Sequence, residues 1–186
     1  MDDGLVRSIS IGLSQKGVRD HNERLLLSLL QRNGPMPGSD LSRLAGLSPP
    51  TVSGILRRLE AECLLERGDP VRGKVGKPSV PMRLASDGTF SFGLKIGRRS
   101  ADLVLIDFNG EPRQERQLTY ASPVPADIFR FLNQGIQSIS LNMRPTHVSR
   151  ICGLGIAAPF EMWSWDDATS AASDAFAQWK GIDLKS

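Results

Sequence analysis

In the first third of the chain the apolar residues recur at helical spacing. Val52, Ile55, Leu56 and Leu59 fall at i, i+3, i+4 and i+7, the stripe by which a helix buries one face. Ser48 can cap the first turn through its side-chain oxygen, and Pro49 fits where its missing N–H costs nothing, so the spacing predicts a helix between Ser48 and Glu62. Just before it, Leu41, Leu44 and Ala45 form a shorter stripe ending at Gly46, a residue suited to the left-handed position of a tight turn. From about Asp20 to Arg32, Leu25, Leu26, Leu29 and Leu30 supply a third buried face, and Asn33-Gly34-Pro35 stops that helix. Leu64 to Arg67 and Pro81 to Leu84 then read as two short strands, joined by a connection from Gly68 to Val80.

Past Ser86-Asp87-Gly88 the period changes. Ser91 to Ile96, Ala101 to Phe108 and Arg113 to Thr119 are strand-like, and Asn109-Gly110 is a two-residue hairpin signal between the last two. Pro123 and Pro125 introduce a helix from Asp127 to Asn142, with Ile128, Phe131, Leu132, Gly135, Ile136 and Ile139 as its stripe. Ile151 to Ala157 returns as a short apolar run, expected as a buried parallel strand. Three strands, a helix and a strand describe half of an α/β domain of the actin-like type. The expected fold class is therefore α/β with an N-terminal winged helix-turn-helix. Its parts are a mobile arm over 1–19, the winged helix-turn-helix over 20–85 and a partial actin-like domain over 88–186.

Charge narrows the partner. Residues 1–84 carry 13 Lys and Arg against 9 Asp and Glu, a net +4, whereas residues 85–186 carry 10 against 11, a net −1. The connection between the first two strands holds Arg72, Gly73, Lys74, Gly76, Lys77 and Pro78, and a flexible basic loop beside a helix pair suits the phosphates of double-stranded DNA. A helix entering the major groove after Ser48 would bring Pro50, Thr51, Ser53 and Gly54 nearest the base edges. Arg57 and Arg58 would follow, as phosphate contacts first and as partners of Glu60 and Glu62 otherwise, and Lys74, Gly76, Lys77 and Pro78 would complete the set from the wing.

Composition excludes other classes. With 186 residues, 40% hydrophobic and 23% charged, the chain can fill one or two modest cores and is not disordered. Met1-Asp2-Asp3 opens no signal peptide, and no stretch approaches the ~20 apolar residues that span a bilayer, so a cytoplasmic protein is expected. Cys63 and Cys152 lie far apart in apolar contexts and are expected as reduced, buried thiols. With His21 and His147 as the other candidates, no zinc-ligand spacing can be assembled, and no metal or cofactor is expected. Adjacent Asp166 and Asp167 in a polar loop are read as solvated. Trp163, Trp165 and Trp179 suit core packing or stacking on a sugar face.

Several segments together carry a resemblance. Arg19-Asp20-His21-Asn22 before the first leucines, Gly73 to Leu84, Gly93 to Asp107, Gly153-Leu154-Gly155-Ile156 and Trp179 to Leu184 resemble the ROK family of repressors and sugar kinases, over roughly His21 to Leu184. The resemblance implies a winged helix-turn-helix joined to a two-lobed, sugar-kinase-like domain. It also implies a homodimer on pseudo-palindromic DNA and a sugar-like effector. Kinases of this family carry an Asp-x-Gly-Gly-Thr-Lys loop between the first two strands. Here Lys95 stands at the acidic position, Gly97 is kept, and Arg98, Arg99 and Ser100 replace Gly, Thr and Lys, so no catalytic residue is assigned and no enzyme is expected. Phe160, in Ala158-Pro159-Phe160-Glu161, stands where those kinases commonly have glycine. The family's catalytic and zinc-binding motifs correspond to positions beyond Leu184, so the native chain is expected to continue. The alternatives are a sugar kinase with an appended helical domain and a winged-helix protein-interaction module.

Overall fold

The computed structural model describes residues 15–70, 79–160 and 170–184. The chain divides into two compact units, residues 1–61 with 66–83 and residues 62–65 with 84–186.

The first unit is built on α1 (Gln15–Asn33), α2 (Gly38–Ala45) and α3 (Pro49–Ala61). Leu26 and Leu30 on α1, Leu41 on α2, and Val52, Ile55, Leu56 and Leu59 on α3 are buried, so the predicted stripe of α3 is its core face. On α1 the burial is narrower than expected: Leu26 and Leu30 share one line four residues apart, and Leu25 and Leu29 flank it half-buried. Leu44, expected on the buried stripe of α2, is 48% exposed, because this two-turn helix has only the Leu41 side to turn inward. Gly46 takes φ 65° and its N–H reaches the Ser42 carbonyl, while the Ser42 hydroxyl donates to the Leu47 carbonyl at 2.6 Å. This left-handed glycine turns the chain directly into α3. A small sheet in the order β1 (Met36–Pro37), β3 (Pro81–Leu84), β2 (Leu65–Arg67) accompanies the helices, with Met36 opposite Met82. The sequence pattern did not reveal β1, which is two residues long.

The inner end of the arm expected over 1–19 is corrected, because α1 already begins at Gln15; residues 1–14 lie outside the described residues. Gln15, Lys16 and Arg19 are good helix formers that lack an apolar stripe, so the helix extends outward from its buried leucines without any periodic signal.

The second unit carries a four-stranded sheet in the order β6 (Pro112–Thr119), β5 (Ser100–Asp107), β4 (Phe90–Ile96), β7 (Ile151–Ala157). β4 and β5, and β5 and β6, pair antiparallel, whereas β7 runs parallel to β4 with Gly93 opposite Gly155. Parallel pairing needs a crossover, which α4 (Pro125–Leu141) and α5 (Pro145–Val148) supply. Alternate residues Phe90, Phe92, Leu94, Ile96, Leu103 and Leu105 pack with Ile128, Leu132 and Ile139 of α4, and with Phe176 of α6 (Ser170–Ala177). The other face of the sheet lines an open groove of about 820 Å³ that includes Lys95, Asp102, Val104 and Gln117.

β7 is parallel but not buried: it is the outer strand, and Cys152, Gly153, Leu154 and Gly155 are exposed. Both cysteines are exposed instead of buried. Cys63 takes φ 57° just past the end of α3, and Cys152 lies beside the Ser91 hydroxyl at 3.0 Å, whose hydrogen bond, followed by that of Thr89, lowers the thiol pKa. The β5–β6 connection is also longer than two residues. Asp107 N–H bonds to the Glu111 carbonyl at 3.0 Å around Phe108, Asn109 and Gly110, with Gly110 at φ 86°.

Candidate nucleic-acid interface

The start of α3 is specified locally. Ser48 accepts the Thr51 backbone N–H on its hydroxyl at 3.4 Å, and the Ser48 carbonyl accepts the Val52 N–H at 3.0 Å. With Val52, Ile55, Leu56 and Leu59 turned inward, Pro50, Thr51, Ser53, Gly54 and Arg57 are left exposed along the same helix. These five predicted residues thus lie together on one surface. They are mostly short: a Cβ built on Gly54 meets no atom within 4 Å, so this surface has room for an incoming group. Arg57 bends back along its own helix, with Nε donating to the Ser53 carbonyl at 3.2 Å.

Arg58 does not join them. It is half-buried and forms an ion pair with Glu23 of α1, so its charge is engaged inside the helical unit. The spacing explains why, since Arg58 is four residues past Gly54 but next to the buried Leu59, on the flank that α1 covers. Lys74, Gly76, Lys77 and Pro78 lie outside the described residues. At the base of that connection, Arg67 makes a bidentate pair with Glu60 of α3 at 2.7 and 3.1 Å, and Arg83 pairs with Glu66 at 2.8 Å. The Arg67 hydrogen bond holds the Glu60 carboxyl below its ordinary range and raises the guanidinium in turn.

Two residues beside this surface were expected only as part of the segment that resembles ROK repressors, with no role in DNA contact. Arg19 and Asn22 of α1 line a groove of about 400 Å³ together with Pro50, Thr51 and Gly54. The signal was available in the sequence. Asn22 is four residues before Leu26 and eight before Leu30, so it continues the inward line of α1 as a polar residue.

The β4–β5 turn, where the kinase loop would stand, is closed on itself. Gly97 N–H bonds to the Ser100 carbonyl at 2.8 Å, and the Tyr120 hydroxyl lies 2.9 Å from the Gly97 carbonyl and 2.8 Å from that of Ser100. Arg99 donates to the Ala121 carbonyl, and the Arg98 guanidinium lies 5.9 Å from the centroid of the Phe176 ring. Lys95 is exposed on the open face of the sheet. Polar side chains elsewhere in this unit are similarly committed. Asp107 accepts the Asn109 and Glu111 N–H groups at 2.8 and 3.0 Å and Arg113 Nε at 2.8 Å, and Asp87 receives Arg113 and Arg144, both at 3.0 Å. Arg150 donates to the carbonyls of Gly88 and Glu62 at 2.7 and 3.2 Å. Trp179 is core: it is 3% exposed and its indole N–H donates to the Pro123 carbonyl at 2.6 Å. Phe160 is exposed, whereas Glu161, Trp163, Trp165, Asp166 and Asp167 lie outside the described residues.

Among the described residues no cluster of His, Cys, Asp and Glu could hold a metal ion, and no helix is long and apolar enough to cross a membrane.

Comparison with known proteins places these features. Residues 19–62 match the winged helix-turn-helix DNA-binding family. The chain is 29% identical over 122 residues to the DNA-binding transcriptional repressor Mlc of Escherichia coli, covering 63% of this chain and 30% of that protein. It is 25% identical over 174 residues to the xylose repressor of Bacillus subtilis, covering 92% of this chain and 44% of that one. It thus spans less than half the length of these relatives. A solved structure of a ROK family transcriptional regulator, a homolog of E. coli Mlc, superposes with TM-score 0.54 at 20% identity, over 76% of this chain and 36% of that one. The likeness in structure is one of fold, and the ROK resemblance and the α/β fold with an N-terminal winged helix-turn-helix are both borne out.

Proposed function

We propose that this chain is the DNA-binding part, with the first lobe of the adjoining domain, of a ROK-family transcriptional repressor. The observation that carries this reading is the division of α3: four apolar residues turned into the core and Pro50, Thr51, Ser53, Gly54 and Arg57 left exposed. Such a helix presents its outer face to base edges in the major groove. Lys74, Gly76, Lys77 and Pro78 act as the basic wing on the phosphate backbone. Arg58, committed to Glu23, braces the helices instead.

The protein acts as a homodimer on two half-sites about one helical turn, or a multiple of it, apart. A sugar or sugar derivative, bound through the sheet domain, shifts the placement of the two recognition helices. The name of the xylose repressor supports an aldose as the first effector to try. The protein is not a kinase: a closed β4–β5 turn with Lys95, Arg98, Arg99 and Ser100 in place of the phosphate loop supports this.

The test is selection of duplexes from a random-sequence pool by the full chain. Enrichment of a pseudo-palindrome with half-sites spaced by a helical turn supports the reading. Enrichment of no duplex at low salt rejects it in favour of a protein-interaction module, and ATP-dependent phosphorylation of a sugar rejects it in favour of a kinase.

A further inference from the structure

The inward line of α1 runs past the core it serves. Leu30 and Leu26 are 3% and 0% exposed, Asn22 one turn earlier is half-buried, and Val18 one turn before that is 42% exposed. The last two turns of this line face α3, and with Arg19, Pro50, Thr51, Gly54, Ile55 and Arg58 they enclose the groove of about 400 Å³. Its lining holds two guanidinium groups and no carboxylate. Of these, Arg58 is spent on Glu23, whereas Arg19 is exposed at the rim. Gly54 leaves the floor unfilled.

We infer that α1 is part of the DNA interface: the Arg19 guanidinium contacts a backbone phosphate of the same duplex that α3 reads, at the groove rim formed with Pro50, Thr51 and Gly54. This rests on the DNA-binding reading above. Two observations select this occupant. The groove is continuous with the exposed face of α3, since Pro50, Thr51 and Gly54 belong to both, and its charge is complementary to a phosphate. The short side chains of α3 let the duplex approach closely, which brings the strand at the groove edge within reach of a long arginine on the neighbouring helix. Being a phosphate contact, Arg19 adds affinity on every sequence and discriminates among none.

The experiment compares the full chain with its Arg19→Ala and Arg19→Lys variants on several duplexes of unrelated sequence, reading affinity by fluorescence anisotropy against salt concentration. Arg19→Ala is expected to flatten the slope of log K against log salt by about 0.9 and to weaken all duplexes alike. Arg19→Lys, which keeps the charge, restores the slope, and the thermal midpoints of all three proteins agree. A wild-type chain that binds with a slope unaltered by Arg19→Ala overturns the inference and leaves the DNA-binding reading standing. An Arg19→Ala loss confined to one sequence at constant slope overturns it too, because a base contact would then be at work. A wild-type chain that binds no duplex at low salt overturns the DNA-binding reading, and this inference with it.

Discussion

Helix α3 and the β4–β5 turn each carry an arginine pair, and the pairs are used differently. In the turn, Arg99 bonds to the Ala121 carbonyl and Arg98 lies over Phe176, while Tyr120 stitches the two sides of the turn together. On α3 only Arg58 is tied to another element, through Glu23 of α1, whereas Arg57 bonds one turn back to the Ser53 carbonyl of its own helix and stays exposed beside Thr51, Ser53 and Gly54. Positive charge alone therefore distinguishes nothing in this chain. What separates a recruitable group from a structural strut is whether its partner ties it to another element, as Glu23 and the Ala121 carbonyl do, or lies only one exposed turn away on its own helix, as the Ser53 carbonyl does. Substitutions should divide the same way, with those in the sheet unit costing stability and those on the α3 face costing DNA affinity.

The largest stability effect is expected from Asp107→Ala. Asp107 is 6% exposed and its loss strands two backbone N–H groups and Arg113 Nε, a cost of about 3 kcal/mol in urea unfolding. An equal loss of DNA affinity in the folded protein would erase the proposed division. Gly135→Val comes next. A Cβ at Gly135 would run into Leu103 Cδ2 in the core, so a β-branched side chain overpacks it by about 2 kcal/mol, to be read by calorimetry.

Tyr120→Phe removes the hydroxyl from the β4–β5 turn at about 1 kcal/mol. It also has a pH signature. Burial first, and the charge of Asp102 second, push the Tyr120 pKa up to about 12, against about 10 for an unperturbed tyrosine. The folded chain thus retains a proton that the unfolded chain loses. Its contribution is complete below about pH 10 and declines as pH rises toward 12. Tyr120→Phe should flatten that alkaline decline in a stability–pH series. The smallest effect is a gain: Gly54→Ala on open helix surface should stabilise by about 0.5–1 kcal/mol, through the lost freedom of the unfolded chain.

Periodicity made much of this molecule legible. Val52, Ile55, Leu56 and Leu59 announced the core side of α3, and so its outer side, while the bounds of β3 and β7 agree with the runs Pro81–Leu84 and Ile151–Ala157. The parts that stayed hidden depend on neighbours remote in sequence. Nothing local in Asp87 reveals Arg113 and Arg144, and nothing in Arg58 beyond its flank position reveals Glu23. The exposure of β7 follows from its place at the sheet's edge, a property of strand order that apolar content does not encode. Arg19 was overlooked for a related reason, since polar residues at the outer end of a helix disturb no stripe.

The central claim is that the exposed face of α3 and the basic connection after β2 together meet a DNA duplex. It is tested most directly by the salt dependence of binding for the full chain and for the double variant Arg57→Ala, Lys77→Ala on one mixed-sequence duplex. Each lost phosphate contact should flatten the slope of log K against log salt by about 0.9, so the double variant should lose about 1.8. A variant whose slope and affinity both match those of the unaltered chain would contradict the account.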